Sequence, residues 1–245
     1  MSRSCCTRRP FPYRHTTAPL PLRHHGATLV SQPPCQEPGL TLLTLRGIPI
    51  RLHRSFLLLG TLYVGMETWT GGRSGAINAI VLALMLFSCV ALHELGHAMM
   101  ARRYGLNTRD ITLYPFGGIA RLEGRPKPGW PEAAIAAAGP GVNIALAILA
   151  LPLAYFELPL ARGFVLVNLL MGVLNLLPAF PMDGGRVLRS LLTLRSDEQT
   201  ATQQSLVLSR ILAALLVVGG IFTNIGVSLV GLALLWMVRR EAAQI

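Results

Sequence analysis

The sequence predicts an all-α polytopic membrane protein. It has about six transmembrane helices, with a small β-hairpin or re-entrant loop between the second and third. Three observations carry that expectation. Hydrophobic residues make up 52% of the 245 residues and charged residues only 13%, with mean hydropathy +0.50; a soluble domain carries about 25% charge. Apolar runs near the roughly 20 residues that cross a bilayer core recur along the chain, separated by short polar stretches. The arginines gather in alternate polar stretches, as the positive-inside rule requires. The net charge of +11 is thus explained by membrane orientation, and no nucleic-acid partner is expected.

Residues 1–39 read as a basic, disordered tail. Arg3, Arg8, Arg9, Arg14 and Arg23 occur among Ser, Thr and Pro, with no acidic residue before Glu37 and no periodic apolar face. The same composition fits an organellar transit peptide or an over-long start. It lacks the continuous apolar core of a secretory signal. His24 and His25 belong to this solvated tail rather than to a metal site. Cys5, Cys6, Cys35 and Cys89 form no disulfide or Cys-based zinc pattern. Cys89 shares a helical face with His93 and reads as a small apolar residue.

Residues 40–245 form the membrane domain. Leu40 to Arg54 alternates weakly and reads as an amphipathic lead-in along the membrane surface. Ser55 to Trp69 is the first span, Gly71 to Ser74 a turn, and Ala76 to Met100 the second span. Arg102 to Lys127 is polar. Within it ITLYPFGGIARLEG alternates like two strands, with Gly117 and Gly118 breaking the middle. This is either an ordinary turn or a re-entrant hairpin whose open edge can pair with an extended substrate. Pro131 to Phe156 is the third span, interrupted at Gly139-Pro140-Gly141 and Asn143. Gly163 to Leu177 is the fourth, broken by Pro178 and Pro181. Ala201 to Gly220 and Ile221 to Val238 are the fifth and sixth, closed by Arg239 and Arg240. Six crossings place every basic residue except Arg73, Arg162 and Arg210 on one side. Both termini are then cytoplasmic, and the second and fourth spans end at the same depth.

The second span carries VALHELGHAM over Val90–Met99, with His93, Glu94 and His97 in the pattern H-E-x-x-H. On a helix, positions i and i+4 share a face, so two imidazoles can grip one Zn²⁺. Glu94 can take a proton from water activated by the metal. Ionisable groups at membrane depth are costly and mark function. Two histidines leave zinc under-coordinated. Asp183, following the Pro-broken fourth span, is the best third ligand; a helix-capping Asp is the competing reading. Asn175 can donate to a developing oxyanion, or else hydrogen-bond between helices.

The pairing of His93–Glu94–His97 with Asn175, Pro178, Asp183 and Gly184 resembles the site-2 protease family of intramembrane zinc metalloproteases, peptidase family M50. The resemblance covers about residues 45–240, including GIPIRLH, PFGG and GPGVN. It implies one Zn²⁺ per chain held by His93, His97 and Asp183, Glu94 as catalytic base and Asn175 near the zinc. It also implies roles for Gly117, Gly118 and Asn143 in substrate handling. The implied reaction is hydrolysis of a peptide bond in or near a transmembrane helix of a membrane-anchored protein, as in regulated intramembrane proteolysis. The chain matches a minimal form without PDZ or CBS modules, so regulation by such modules is expected to be absent or supplied by a membrane partner. A bacterial inner membrane is the expected location and an organellar one the second choice. A non-catalytic metal-binding scaffold or a metal transporter is the rival class. Glu94, which is not needed as a ligand, argues against it. Substrate identity and oligomeric state are not legible.

Overall fold

The computed structural model describes residues 39–115 and 117–243. The expected basic tail, with His24, His25, Cys5, Cys6 and Cys35, lies outside the described residues except for Gly39, which opens a strand. In chain order the elements are β1 (Gly39–Leu45), β2 (Ile48–His53), α1 (Arg54–Arg103), β3 (Thr108–Tyr114) and β4 (Gly117–Leu122). Then come α2 (Trp130–Tyr155), α3 (Ala161–Asn175), α4 (Asp183–Leu192), α5 (Glu198–Thr223) and α6 (Ile225–Ala242).

The all-α expectation needs correcting, because the strands form one sheet in the order β1-β2-β3-β4. The segment expected as a surface lead-in is the hairpin β1–β2. Its turn is Arg46-Gly47, both with positive φ (50° and 85°), as a two-residue hairpin turn demands. The strand signal is in β2, where Ile48, Ile50 and Leu52 are buried at every second position. β2 pairs in parallel with β3, and β3 pairs antiparallel with β4. The expected hairpin between the second and third spans is therefore present, as half of a larger sheet. The two glycines start β4 rather than interrupting a strand.

One sheet face packs on α1. Ile48, Ile50, Leu52, Ile111 and Leu113 form a core with Ala91 and Ala98, flanked by Phe56, Phe87, Val90 and Leu95. Ala91 and Ala98 straddle the two motif histidines, so the sheet braces the turns of helix that carry them. The strands are further joined by buried Asp110. Arg121 pairs with it at 2.9 Å and Arg51 approaches at 3.7 Å. His53 caps α1, its Nδ1 accepting from the Ser55 amide at 3.2 Å.

The 50-residue helix α1 is two arms. Gly72 (φ 59°, ψ −145°) breaks it, within the expected Gly71–Ser74 turn. By contrast, the expected interruption of the third span is absent: α2 runs unbroken through Pro140 and Pro152. Its small residues serve close packing instead. A Cβ on Gly96 of α1 would meet the Ala138 carbonyl and Val142 of α2 at 2.8 Å, and one on Gly172 of α3 would meet Ile144 at 2.9 Å.

After α3 the chain turns through Leu176–Met182, with a cis Phe180–Pro181 bond, into α4. The Phe180 amide donates to the buried Ser209 hydroxyl of α5 at 2.8 Å. A Cβ on Gly185 would meet the backbone of Ala179 and Phe180 at 2.7 Å, so this turn lies directly on the start of α4. Arg189 ties α4 to Glu132 of α2 and, at 3.8 Å, to Glu198 of α5. Among the described residues, α1, α2 and α5 are long and apolar enough to cross a membrane; α3 is a shorter apolar helix.

Candidate metal centre

His93 and His97 project from one face of α1, one turn apart, and Asp183 enters from the first position of α4. The Asp183 Oδ2 lies 3.1 Å from His93 Nε2 and 3.2 Å from His97 Nε2, and the two Nε2 atoms are 3.1 Å apart. This is the one group of three or more His, Cys, Asp or Glu side chains among the described residues with converging ligand atoms. Asp183 is not serving as a cap: Met182 holds that position, without a side-chain cap hydrogen bond.

The outer nitrogens fix what the inner ones present. His97 Nδ1 lies 2.8 Å from the Ile135 carbonyl, an obligate acceptor, so Nδ1 carries the proton and donates. His93 Nδ1 lies 2.5 Å from Oδ1 of Asn143 and donates there, given that the Asn143 amide nitrogen is turned to Asn168. With Nδ1 engaged on each ring, the two Nε2 atoms face each other and a carboxylate oxygen. Three such atoms this close need a proton or a metal ion shared among them. Zinc–ligand bonds of about 2.0–2.2 Å in tetrahedral geometry separate ligand atoms by roughly 3.3 Å, near the observed spacings. Two imidazoles and one carboxylate match the donor set of a catalytic zinc site.

The floor of the site is Gly139, in the middle of α2. A Cβ there would meet His93 Nε2 at 2.8 Å and His97 Cε1 at 2.5 Å, so only glycine lets the helix come this close. Glu94 is buried beside His93, His97 and Asp183 and interacts electrostatically with all three. The Ala120 backbone faces its carboxyl, and a Cβ on Gly118 would meet Glu94 Cδ at 2.9 Å. Strand β4 thus lies on the acid.

The remaining expected residues take these places. Gly117 opens β4 with φ 142°. Asn143 is fully buried and touches His93 directly. Asn175 is half-buried at the end of α3, and its amide donates to the Met171 carbonyl at 2.9 Å. Cys89 is buried and accepts from Asn168 Nδ2 at 3.1 Å, in keeping with a non-ligand. Gly139 and Asn168 were not singled out from the sequence for the site. Gly139 was visible as part of a Gly-Pro-Gly run. Asn168 was visible as a polar residue inside an apolar span, a signal in its own right.

The family model for peptidase family M50 matches residues 81–159 and 158–219. A zinc metalloprotease of Methanocaldococcus jannaschii is 35% identical over 211 residues, covering 83% of this chain and 60% of that protein. The stage IV sporulation protein FB of Bacillus subtilis is 33% identical over 136 residues, covering 54% of this chain and 47% of that one. Among solved structures, the site-2 protease of M. jannaschii superposes with a TM-score of 0.61 at 34% identity. That match covers 83% of this chain and 94% of that one. The chain spans 60% or less of the length of these two curated relatives.

Proposed function

The chain belongs to peptidase family M50, and from that premise we propose that it is an intramembrane zinc endopeptidase. Its substrate is a membrane-anchored protein, cut in or near a transmembrane helix. The observation that carries this reading is the convergence of His93, His97 and Asp183 with the buried carboxyl of Glu94 beside them. Zinc bound by the three ligands would polarise a peptide carbonyl and make water a nucleophile near neutral pH.

The chain's own groups supply the rest. Glu94 accepts the proton of the attacking water and passes it to the leaving amine. The bare backbone of Gly118 packs directly on that carboxyl and limits where it can point. β4 is an outer strand of the sheet, so a substrate unwound into extended form can pair along it, which delivers its backbone next to Glu94. Asn175 spends one amide hydrogen on Met171 and keeps the other for a developing oxyanion. The two arms of α1, with α2, α3, α5 and α6, supply six crossings of a bacterial inner membrane, both termini in the cytoplasm. The 50-residue α1 supports a double pass: at about 1.5 Å per residue it is over twice the roughly 30 Å hydrocarbon thickness.

The test uses the full chain in detergent, with zinc measured per chain and a panel of single-span substrates incubated alongside. Wild type should bind close to one zinc and cut a substrate. Glu94→Gln should keep zinc and lose cleavage, and Asp183→Ala should lose zinc. Undiminished cleavage by Glu94→Gln would refute the enzymatic reading.

A further inference from the structure

Behind His93 the hydrogen bonds continue away from the metal centre through three helices. Asn143 of α2 accepts from His93 with Oδ1 and donates through Nδ2 to Asn168 Oδ1 of α3, at 2.8 Å. Asn168 Nδ2 then donates to the Phe164 carbonyl at 2.9 Å and to Cys89 Sγ of α1 at 3.1 Å. Asn143 and Asn168 are both completely buried. Two adjoining buried amides are costly unless every polar atom is used.

The direction of this chain of bonds is set at its far end. The Phe164 carbonyl can only accept, so the amide nitrogen of Asn168 must face it. Its Oδ1 therefore faces Asn143, which must present its own nitrogen. Asn143 Oδ1 is left for His93 Nδ1, which must carry the proton. The lone pair of His93 is then on Nε2, where the ligand set converges. Turning either amide over would set two acceptors or two donors against each other.

We propose that Asn168 is a positioning residue for the metal centre. Through Asn143 it locks His93 in the tautomer that presents Nε2 to the metal. Asn143 cannot impose this alone, because its amide would bond equally well to either tautomer by turning over. The inference rests on the reading of His93, His97 and Asp183 as ligands. It extends that reading to a residue that touches neither metal nor substrate.

Zinc affinity of the full-length protein in detergent, measured by chelator competition, tests it without any need for cleavage. Asn168→Leu keeps the volume and breaks the relay; zinc should bind about 10–100-fold more weakly, as when an outer-shell partner is lost. Asn168→Asp should stay near wild type. Its neutral carboxyl donates O–H to the Phe164 carbonyl and accepts from Asn143, preserving the direction. If Asn168 only filled space, the order would reverse, with the apolar isostere better tolerated than the buried acid. In the pair Asn143→Leu and Asn168→Leu, the double variant should bind zinc no more weakly than Asn143→Leu alone, because Asn168 acts through Asn143. Additive losses, or an Asn168→Asp variant as weak as Asn143→Leu, would overturn the proposal. Should Asn168→Leu fail to accumulate, the Asn168→Asp comparison decides it. Wild type that binds no zinc would instead overturn the ligand reading, and the relay with it.

Discussion

Gly139 has only hydrogen where every other residue would put carbon into the two ligand imidazoles. Gly139→Ala should therefore force α2 and the histidines apart. We expect zinc affinity to fall at least about 10-fold, as for a displaced ligand shell, read by chelator competition. Gly118→Ala acts on the other side of the site. Its methyl group would displace Glu94 rather than the ligands, so zinc should stay bound while cleavage drops by about 10²-fold or more, the scale of a misplaced proton acceptor. The contrast separates ligand geometry from base geometry with two single methyl groups. Residue identity announces some of this and conceals the rest. Two histidines one turn apart around a glutamate declare their chemistry, because few other arrangements justify such groups in an apolar run. Asn143 and Asn168 do not declare theirs. An asparagine in a span is as easily a bond between helices, and only coordinates show that this pair terminates on His93.

Among the elements, α1 shows how a single residue divides a helix. Gly72 has φ 59° and ψ −145°, a region open to glycine and closed to other residues. Gly72→Ala should cost about 1–3 kcal/mol, seen as a lower unfolding midpoint in detergent. The turn before α4 is held by one bond to α5. Ser209→Ala leaves the Phe180 amide buried without an acceptor, a loss of about 1–3 kcal/mol. The variant should also weaken zinc binding, because Asp183 follows that turn directly. At the start of α5, the Thr200 amide and hydroxyl bond the Asp197 carboxylate and hold its pKa below the usual Asp range. That cap is present at neutral pH and is lost as pH falls through the lowered value. The protection of the Thr200 amide, measured as its exchange rate relative to the intrinsic rate at each pH, should therefore fall in acid.

The long apolar helices α1, α2 and α5 were legible from apolar length, and the turn at Gly72 from its Gly-Gly-Arg-Ser sequence. The hairpin β1–β2 was not. Its outer strand exposes Leu40, Leu42, Leu43 and Leu45, which blurs the alternation that marks a half-buried strand. Its place in a sheet depends on β3, some sixty residues on. Pro140 misled in the other direction, since local chemistry argues for a break and packing against α1 and α3 overrides it.

For the molecule as a whole, charge and chain path make a joint statement about the membrane. Arg73 sits beside the break in α1, and Arg239 in the last turn of α6. With Cys5, Cys6 and Cys35 replaced by serine, an impermeant thiol reagent should label Arg73→Cys in intact cells. It should reach Arg239→Cys only after the membrane is opened. Labelling of both from outside would refute the six-crossing arrangement. The ligand set has a different consequence. His93 and His97 belong to α1, whereas Asp183 begins α4, far along the chain. One ion held by all three is a cross-link between distant segments, in effect a clasp. Occupancy then adds to folding stability as RT ln(1 + [Zn]/Kd), about 2.7 kcal/mol at a free concentration of 100 Kd. Stripping the ion should lower the unfolding midpoint of wild type and of Glu94→Gln alike, and leave Asp183→Ala unmoved. The cell's free zinc would then govern how long the protein survives, as well as whether it can cut.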